Sequence, residues 1–429
     1  MCVGIALEAA CCAGKEFCSV ICTFFKCCCK MTMSQQIRLS YVILNSLLFA
    51  FTIIVLHYIR DLFSYFARYL HCPEASGGQS QCLGSSSVYR MSFALAILYL
   101  AVLIAVYARN QCSKLFNEGL WCIKISAVLG MYISFMFVSD SFFNGYRVFA
   151  QVFGGFYLLF QTIILIDIFY LWGQNWKAKY DEVEAQNAEN NSSFNLYGIL
   201  LIGITLSLYT ASILLNAYNF IWFKGCQFNI IVNALNLLLV ISITFVQFLG
   251  FNPSGSLLTS SAMSFYITFL AFSGQLSSES GCNSAISSNA IFAIELSVGV
   301  AFLLVTLLYL SFVKKNINNI QNQQNKKEDL EKEQASLVQN QQQLNQQQDE
   351  LEIYKNTNNY IIFHMVMFVS SIYCAMLITN WGGSSLNNFT IYQPSQTSYW
   401  IKIICSWISS ILYIWTLIAP RVFPNRDFS

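Results

Sequence analysis

Long apolar runs separated by short polar turns set the pattern of this chain. Ten stretches stay apolar for about twenty residues or more: 39–59, 88–108, 119–138, 146–172, 195–219, 228–248, 256–276, 291–313, 359–380 and 399–419. At about 1.5 Å per residue, a helix of that length reaches across the ~30 Å hydrocarbon core of a bilayer. Each run is expected as a helix, because lipid offers no hydrogen-bond partner to an open backbone. The fourth exceeds what a bilayer needs, so it is expected to tilt or to project beyond the membrane. The expected fold class is an all-α integral membrane protein of ten transmembrane helices, with both termini on one side.

Composition agrees with lipid as the main solvent. Hydrophobic residues make up 56% of the chain and charged residues only 10%, against roughly 25% charged in a soluble domain. A net charge of +2 gives no basic face, so no nucleic-acid partner is expected. Lys and Arg decide the orientation. With the termini inside, sixteen of them fall in cytosolic segments: Lys15, Lys26, Lys30, Arg38, Arg109, Lys114, Lys177, Lys179, Lys314, Lys315, Lys326, Lys327, Lys332, Lys355, Arg421 and Arg426. Four fall outside: Arg60, Arg68, Arg147 and Lys224. The chain therefore divides into a cytosolic Cys-rich segment (1–38), helices one to eight (39–313), a cytosolic Gln/Asn-rich loop (314–358), helices nine and ten (359–419) and a cytosolic tail (420–429).

Cysteines follow the same sides. Cys72, Cys82, Cys226 and Cys282 fall in outer loops, where an oxidising lumen permits disulfides. Cys72 and Cys82 share one short loop, which leaves Cys226 and Cys282; four cysteines still allow three connectivities. The outer glycosylation sequon is Asn388-Phe389-Thr390. Cys27, Cys28 and Cys29 lie beside Lys26 and Lys30 just before the first helix, a setting for acylation or for plain thiols. No metal site is expected there, since neither His nor a C-x-x-C pair accompanies them. In the 314–358 loop, Leu330, Leu337, Leu344 and Leu351 recur every seven residues, but Gln334, Gln341 and Gln348 fill the complementary seam. A conditional helix is expected rather than a stable coiled coil.

Charges inside spans cost about 2.5–3.5 kcal/mol each on insertion scales and are expected in pairs. Matching depth pairs Lys124 with Asp167, Glu295 with Lys402, and Arg90 with Asp140. They either fix helix packing or serve as polar steps for a headgroup or for serine. The fifth span carries Thr205, Tyr209, Ser212, Asn216 and Asn219, and the sixth Asn229, Asn233, Asn236, Thr244 and Gln247. This spacing aligns each set on one helix face. Two readings stand: hydrogen bonding between helices, or a wet furrow sheltering a lipid headgroup. No H-E-x-x-H, phosphate-binding Gly loop or G-x-S-x-G occurs, so neither an enzyme nor a cofactor is expected.

Several stretches resemble the serine incorporator family. They are Val88-Tyr89-Arg90, Gly119-Leu120-Trp121-Cys122-Ile123-Lys124, Asp140, Gln161, Asp167, Trp172-Gly173-Gln174-Asn175-Trp176, Ser256-Leu257-Leu258 and Phe269-Leu270-Ala271-Phe272-Ser273. Phe363-His364, Thr379-Asn380-Trp381, Trp400-Ile401-Lys402, Ala419-Pro420 and the ending Asn425-Arg426-Asp427-Phe428-Ser429 continue the likeness. The resemblance implies two helical bundles with long, crossing fourth and eighth helices, a lipid-facing groove, and homo-oligomers in some members. It also implies roles in supplying serine for phosphatidylserine and sphingolipid synthesis, or in energy-independent lipid scrambling. Membrane phospholipids are the expected partners, in the endomembrane system or plasma membrane. A serine transporter and a structural subunit of a membrane assembly are the alternatives.

Overall fold

A computed structural model of the chain describes residues 33–58, 79–108, 111–190, 195–252, 255–278, 282–283, 289–312, 340–379, 381 and 395–423. Among them there is no strand. Eleven helices follow in order: α1 Met33–Tyr58, α2 Gln79–Ala108, α3 Gln111–Glu118, α4 Trp121–Phe135, α5 Asp140–Asn190, α6 Leu196–Trp222, α7 Gln227–Phe248, α8 Leu257–Leu276, α9 Asn289–Phe312, α10 Asn340–Ile378 and α11 Gln396–Val422. Nine are long and apolar enough to cross a membrane among the described residues.

The expected third span is the one that falls short. Its apolar helix covers only Trp121–Phe135, about 22 Å at 1.5 Å per residue. Leu120 just before it sits at φ 59°, a left-handed geometry that no helix of L-residues can continue through. The preceding eight residues, expected as loop, instead form the short helix α3. Two other elements run longer than their apolar cores. Helix α5 has 51 residues, about 77 Å of axis, so its Lys177–Asn190 end extends past any bilayer core. Helix α10 begins at Asn340, although its apolar part is Asn359–Ile378. Residues 340–358 are therefore helical and continuous with the ninth span. Extending an existing helix avoids the cost of nucleation, and Gln, Glu and Leu are good helix formers.

The chain divides into two compact units. The first comprises Met1–Phe51, Met91–Phe135 and Leu307–Ser371; the second comprises Thr52–Arg90, Met136–Thr306 and Ile372–Ser429. The second unit is built around α8, which packs against α5, α6, α7 and α11. Every residue of α8 except Leu257 and Phe265 is buried, which explains how Thr259, Ser260, Ser261, Ser264, Thr268, Ser273 and Gln275 sit in one span: its neighbours, not lipid, surround it. Helix α6 shows the converse. Its buried residues are Thr205, Ser212, Asn216 and Asn219, while Ile202, Leu206, Ile213 and Leu214 point outward. Apolar groups gain nothing by turning inward when the outside is hydrocarbon, so helix contacts here use small and polar side chains.

Candidate functional site

Ser256 starts the site. Its hydroxyl accepts the Thr259 backbone N–H at 3.1 Å and so caps α8. A side chain at Gly173 of α5 would put its Cβ 2.6 Å from that hydroxyl, so only glycine lets the cap seat there. From this cap a row of hydrogen bonds climbs α8. The Ser260 hydroxyl donates to Gln247 Oε1 at 3.2 Å and lies 2.9 Å from the Tyr413 hydroxyl of α11. The Thr268 hydroxyl meets Ser212 at 3.1 Å and accepts from Asn216 Nδ2 at 3.1 Å. On α11, Ser406 donates to Asn236 Oδ1 at 3.1 Å, and Tyr399 donates to Asn229 Oδ1 at 3.0 Å. Gln275 Nε2 donates to Asn233 Oδ1, and Asn233 Nδ2 donates to the Asn219 carbonyl at 3.0 Å. Thr244 and Tyr209 close the opposite end at 3.3 Å.

The two polar stripes thus converge on α8 and α11 instead of opening between α6 and α7. Asn216, Asn219, Asn233 and Asn236 are at most 3% exposed, so the furrow expected from their spacing is sealed in this conformation. Two antiparallel helices with polar inner faces still need a polar partner on the third side, and α8 supplies it. The sequence reading missed Ser264, Thr268, Ser273 and Gln275 of α8 and Tyr399 and Ser406 of α11. Their signal was the low hydropathy of the seventh span, the least apolar of the nine. The seam is not fully bonded. Asn216 Oδ1, both amide atoms of Asn219, Asn229 Nδ2, Asn236 Nδ2, Gln275 Oε1 and the Ser264 hydroxyl are buried with no hydrogen-bond partner.

A charged node adjoins the seam. Lys402 Nζ lies 3.1 Å from Glu295 Oε1 and donates to the Ser273 carbonyl at 3.2 Å. The Ser273 hydroxyl donates to the same carboxylate oxygen, and Lys402 also faces the Trp381 ring at 5.9 Å. Gly274 makes this approach possible, since a Cβ there would stand 3.2 Å from Lys402 Cβ and 3.0 Å from Ile403. Among the described residues, Lys124 hydrogen-bonds to neutral groups. Lys124 donates to the Tyr41 hydroxyl at 2.7 Å and the Asn117 carbonyl at 3.0 Å, with no carboxylate within ion-pair reach among the described residues. The Asp167 side chain is exposed on α5, between buried Ile166 and half-buried Ile168. Arg90 donates to the Val138 carbonyl at 2.9 Å and lies over Phe143 at 4.5 Å; the Asp140 side chain is outside the described residues.

Cys226 and Cys282 are joined by a disulfide that links the α6–α7 turn to the segment after α8. Cys72, the Cys82 side chain, Cys27, Cys28, Cys29 and Asn388 lie outside the described residues.

Long apolar helices with polar inner faces and a buried ion pair define a multi-pass α-helical membrane protein. Comparison with known proteins narrows this: the family profile described as Serine incorporator (Serinc) matches residues 10–426, and the chain belongs to that family. It is 26% identical over 394 residues to a probable serine incorporator of Nematostella vectensis, covering 83% of this chain and 84% of the relative. It is 25% identical over 407 residues to serine incorporator 2 of Bos taurus, with 83% and 84% covered. Serine incorporator 5 of Danio rerio is 24% identical over 473 residues, with 98% of both chains covered.

Proposed function

We propose that this serine incorporator family member binds phospholipids and passes their headgroups between leaflets along the α6–α7–α8–α11 seam, which opens when α6 and α7 swing away from α8. The observation that carries this reading is the set of buried amide atoms without partners in the seam. Each such atom costs about 1–3 kcal/mol, so the closed seam is less favoured than an apolar interface of the same shape. A headgroup crossing bare hydrocarbon must shed its water at high cost; amides and hydroxyls from Gln247 to Gln275 replace part of that hydration. Exchange of this kind would link the chain to phosphatidylserine and sphingolipid metabolism.

A second reading is favoured by the closure of the same cluster: a seam sealed from lipid suits a small zwitterion such as serine. One preparation separates the two. Purified protein is reconstituted in liposomes with leaflet-reporting fluorescent lipids in one arm and radiolabelled serine in the other. Replacing Asn233 and Asn236 together with Leu is expected to slow lipid exchange severalfold while the thermal midpoint stays near wild type. A folded double variant that scrambles at the wild-type rate makes the seam packing alone. Serine uptake without lipid exchange selects the second reading.

A further inference from the structure

The first unit holds three basic side chains whose chemistry the seam does not use. Lys124 of α4 is 1% exposed and caged by the rings of Trp121 at 4.4 Å, Tyr41 at 4.8 Å and Phe116 at 5.5 Å. His364 of α10 is fully buried; its Nε2 lies 2.7 Å from Asn117 Oδ1, and its Nδ1 has no partner. Arg38 of α1 is buried against Tyr360 at 5.2 Å and Phe363 at 5.9 Å. Its Nη1 reaches the Leu310 carbonyl only at 3.4 Å, and its Nε has no partner.

Shared aromatic walls tie the three together. The His364 ring stands 4.7 Å from Tyr41, which Lys124 also touches. It stands 5.3 Å from Phe363 and 6.3 Å from Tyr360, the two rings beneath Arg38. No carboxylate among the described residues pairs with either cation. Glu118, the acidic residue at the end of α3, is itself held above the ordinary carboxyl range by burial, with Lys114 opposing. Among the described residues, then, Arg38 and Lys124 have no ion-pair partner, and a buried cation without one is costly where the medium screens poorly. Arg38, Lys124 and His364 each lie within the first two turns of the apolar part of their helices, together with Trp121 and Tyr360, and the ends of apolar helices are where Trp and Tyr gather beside headgroups.

We propose that Arg38, Lys124 and His364 form a site for an anionic phosphate group, carried by a phospholipid headgroup at this end of the first unit. The donor set fits. An Arg fork and an ammonium offer donors only, and the unpartnered His364 Nδ1 becomes a further donor once a phosphate draws a proton onto the ring, which suits a group with several acceptor oxygens. Basic pockets between transmembrane helices bind anionic headgroups in the same way. The proposal is independent of the seam reading, since it concerns the other unit and needs no lipid exchange.

The test uses the full chain in nanodiscs of phosphatidylcholine, with or without a tenth of phosphatidic acid. Lipid retention is followed by native mass spectrometry, and the thermal midpoint is measured in parallel. Wild type is expected to retain phosphatidic acid over phosphatidylcholine and to melt higher in its presence. Arg38→Gln, at the edge of the cluster, is expected to weaken retention about tenfold, and Lys124→Met at least as much. Should Lys124→Met fail to fold, Arg38→Gln decides alone, with Arg38→Lys expected to restore part of the retention. Competition by millimolar inorganic phosphate would assign the site to free phosphate; retention that resists it assigns the lipid. Equal retention of both lipids by wild type, or unchanged retention in a folded Arg38→Gln variant, overturns the proposal.

Discussion

Lys402 and Glu295 carry the largest single electrostatic commitment among the described residues of the second unit. Both are buried, and the pair is completed by the carbonyl and hydroxyl of Ser273. Removing one member strands the other charge, which typically costs about 3–5 kcal/mol. Lys402→Met alone is therefore expected to destabilise more than Lys402→Met combined with Glu295→Gln, measured by thermal unfolding in detergent. A double variant as unstable as the sum of the singles would mean that the two charges do not interact. Lys124 obeys a different logic. Its ammonium is held by Tyr41, the Asn117 carbonyl and three aromatic faces.

At the level of elements, polarity is turned inward. Helix α8 is polar because four helices cover it, and α6 and α7 put their amides against it because lipid takes the apolar faces. The turn between α6 and α7 is tied to the end of α8 by Cys226–Cys282, across a sequence separation of 56 residues. Closing a loop of that length in the unfolded chain is worth about 4 kcal/mol in the chain-entropy account. Cys226→Ser, or reduction of the native protein, is expected to lower stability by about 2–4 kcal/mol, read as a lower thermal midpoint with wild-type helix content. A midpoint that reduction leaves unmoved would show that hydrogen bonds such as Ser277–Ser398 and Ser395 to Ser277 already hold this end.

For the whole molecule, orientation is the property that most constrains function. The sixteen-to-four distribution of Lys and Arg supports termini and residues 314–358 in the cytosol. Helix α10 sharpens the test, because its polar first half, from Asn340, is continuous with a span and must lie on one side. Protease added to sealed, right-side-out cells is expected to spare that half and to cut it only after permeabilisation. Cleavage in intact cells would reverse the orientation and, with it, the side on which the Arg38–Lys124–His364 cluster meets its ligand.

Class, family and nearly every span were legible in the sequence, because an apolar run of twenty residues has few fates other than crossing a bilayer. The inward faces of α6 and α7 were legible too, since Asn216, Asn219, Asn233 and Asn236 keep helical spacing whatever surrounds them. What those faces meet was not. Spacing gives a direction around one helix axis but not the neighbour along it, so α8 and α11 entered only with the tertiary structure. The same limit applies to the pairs matched by depth: Glu295 and Lys402 face one another beside Ser273, a contact that depth alone allows but does not fix. Depth is a property of sequence position; the rotation and packing that bring two side chains within 3 Å are properties of the folded bundle.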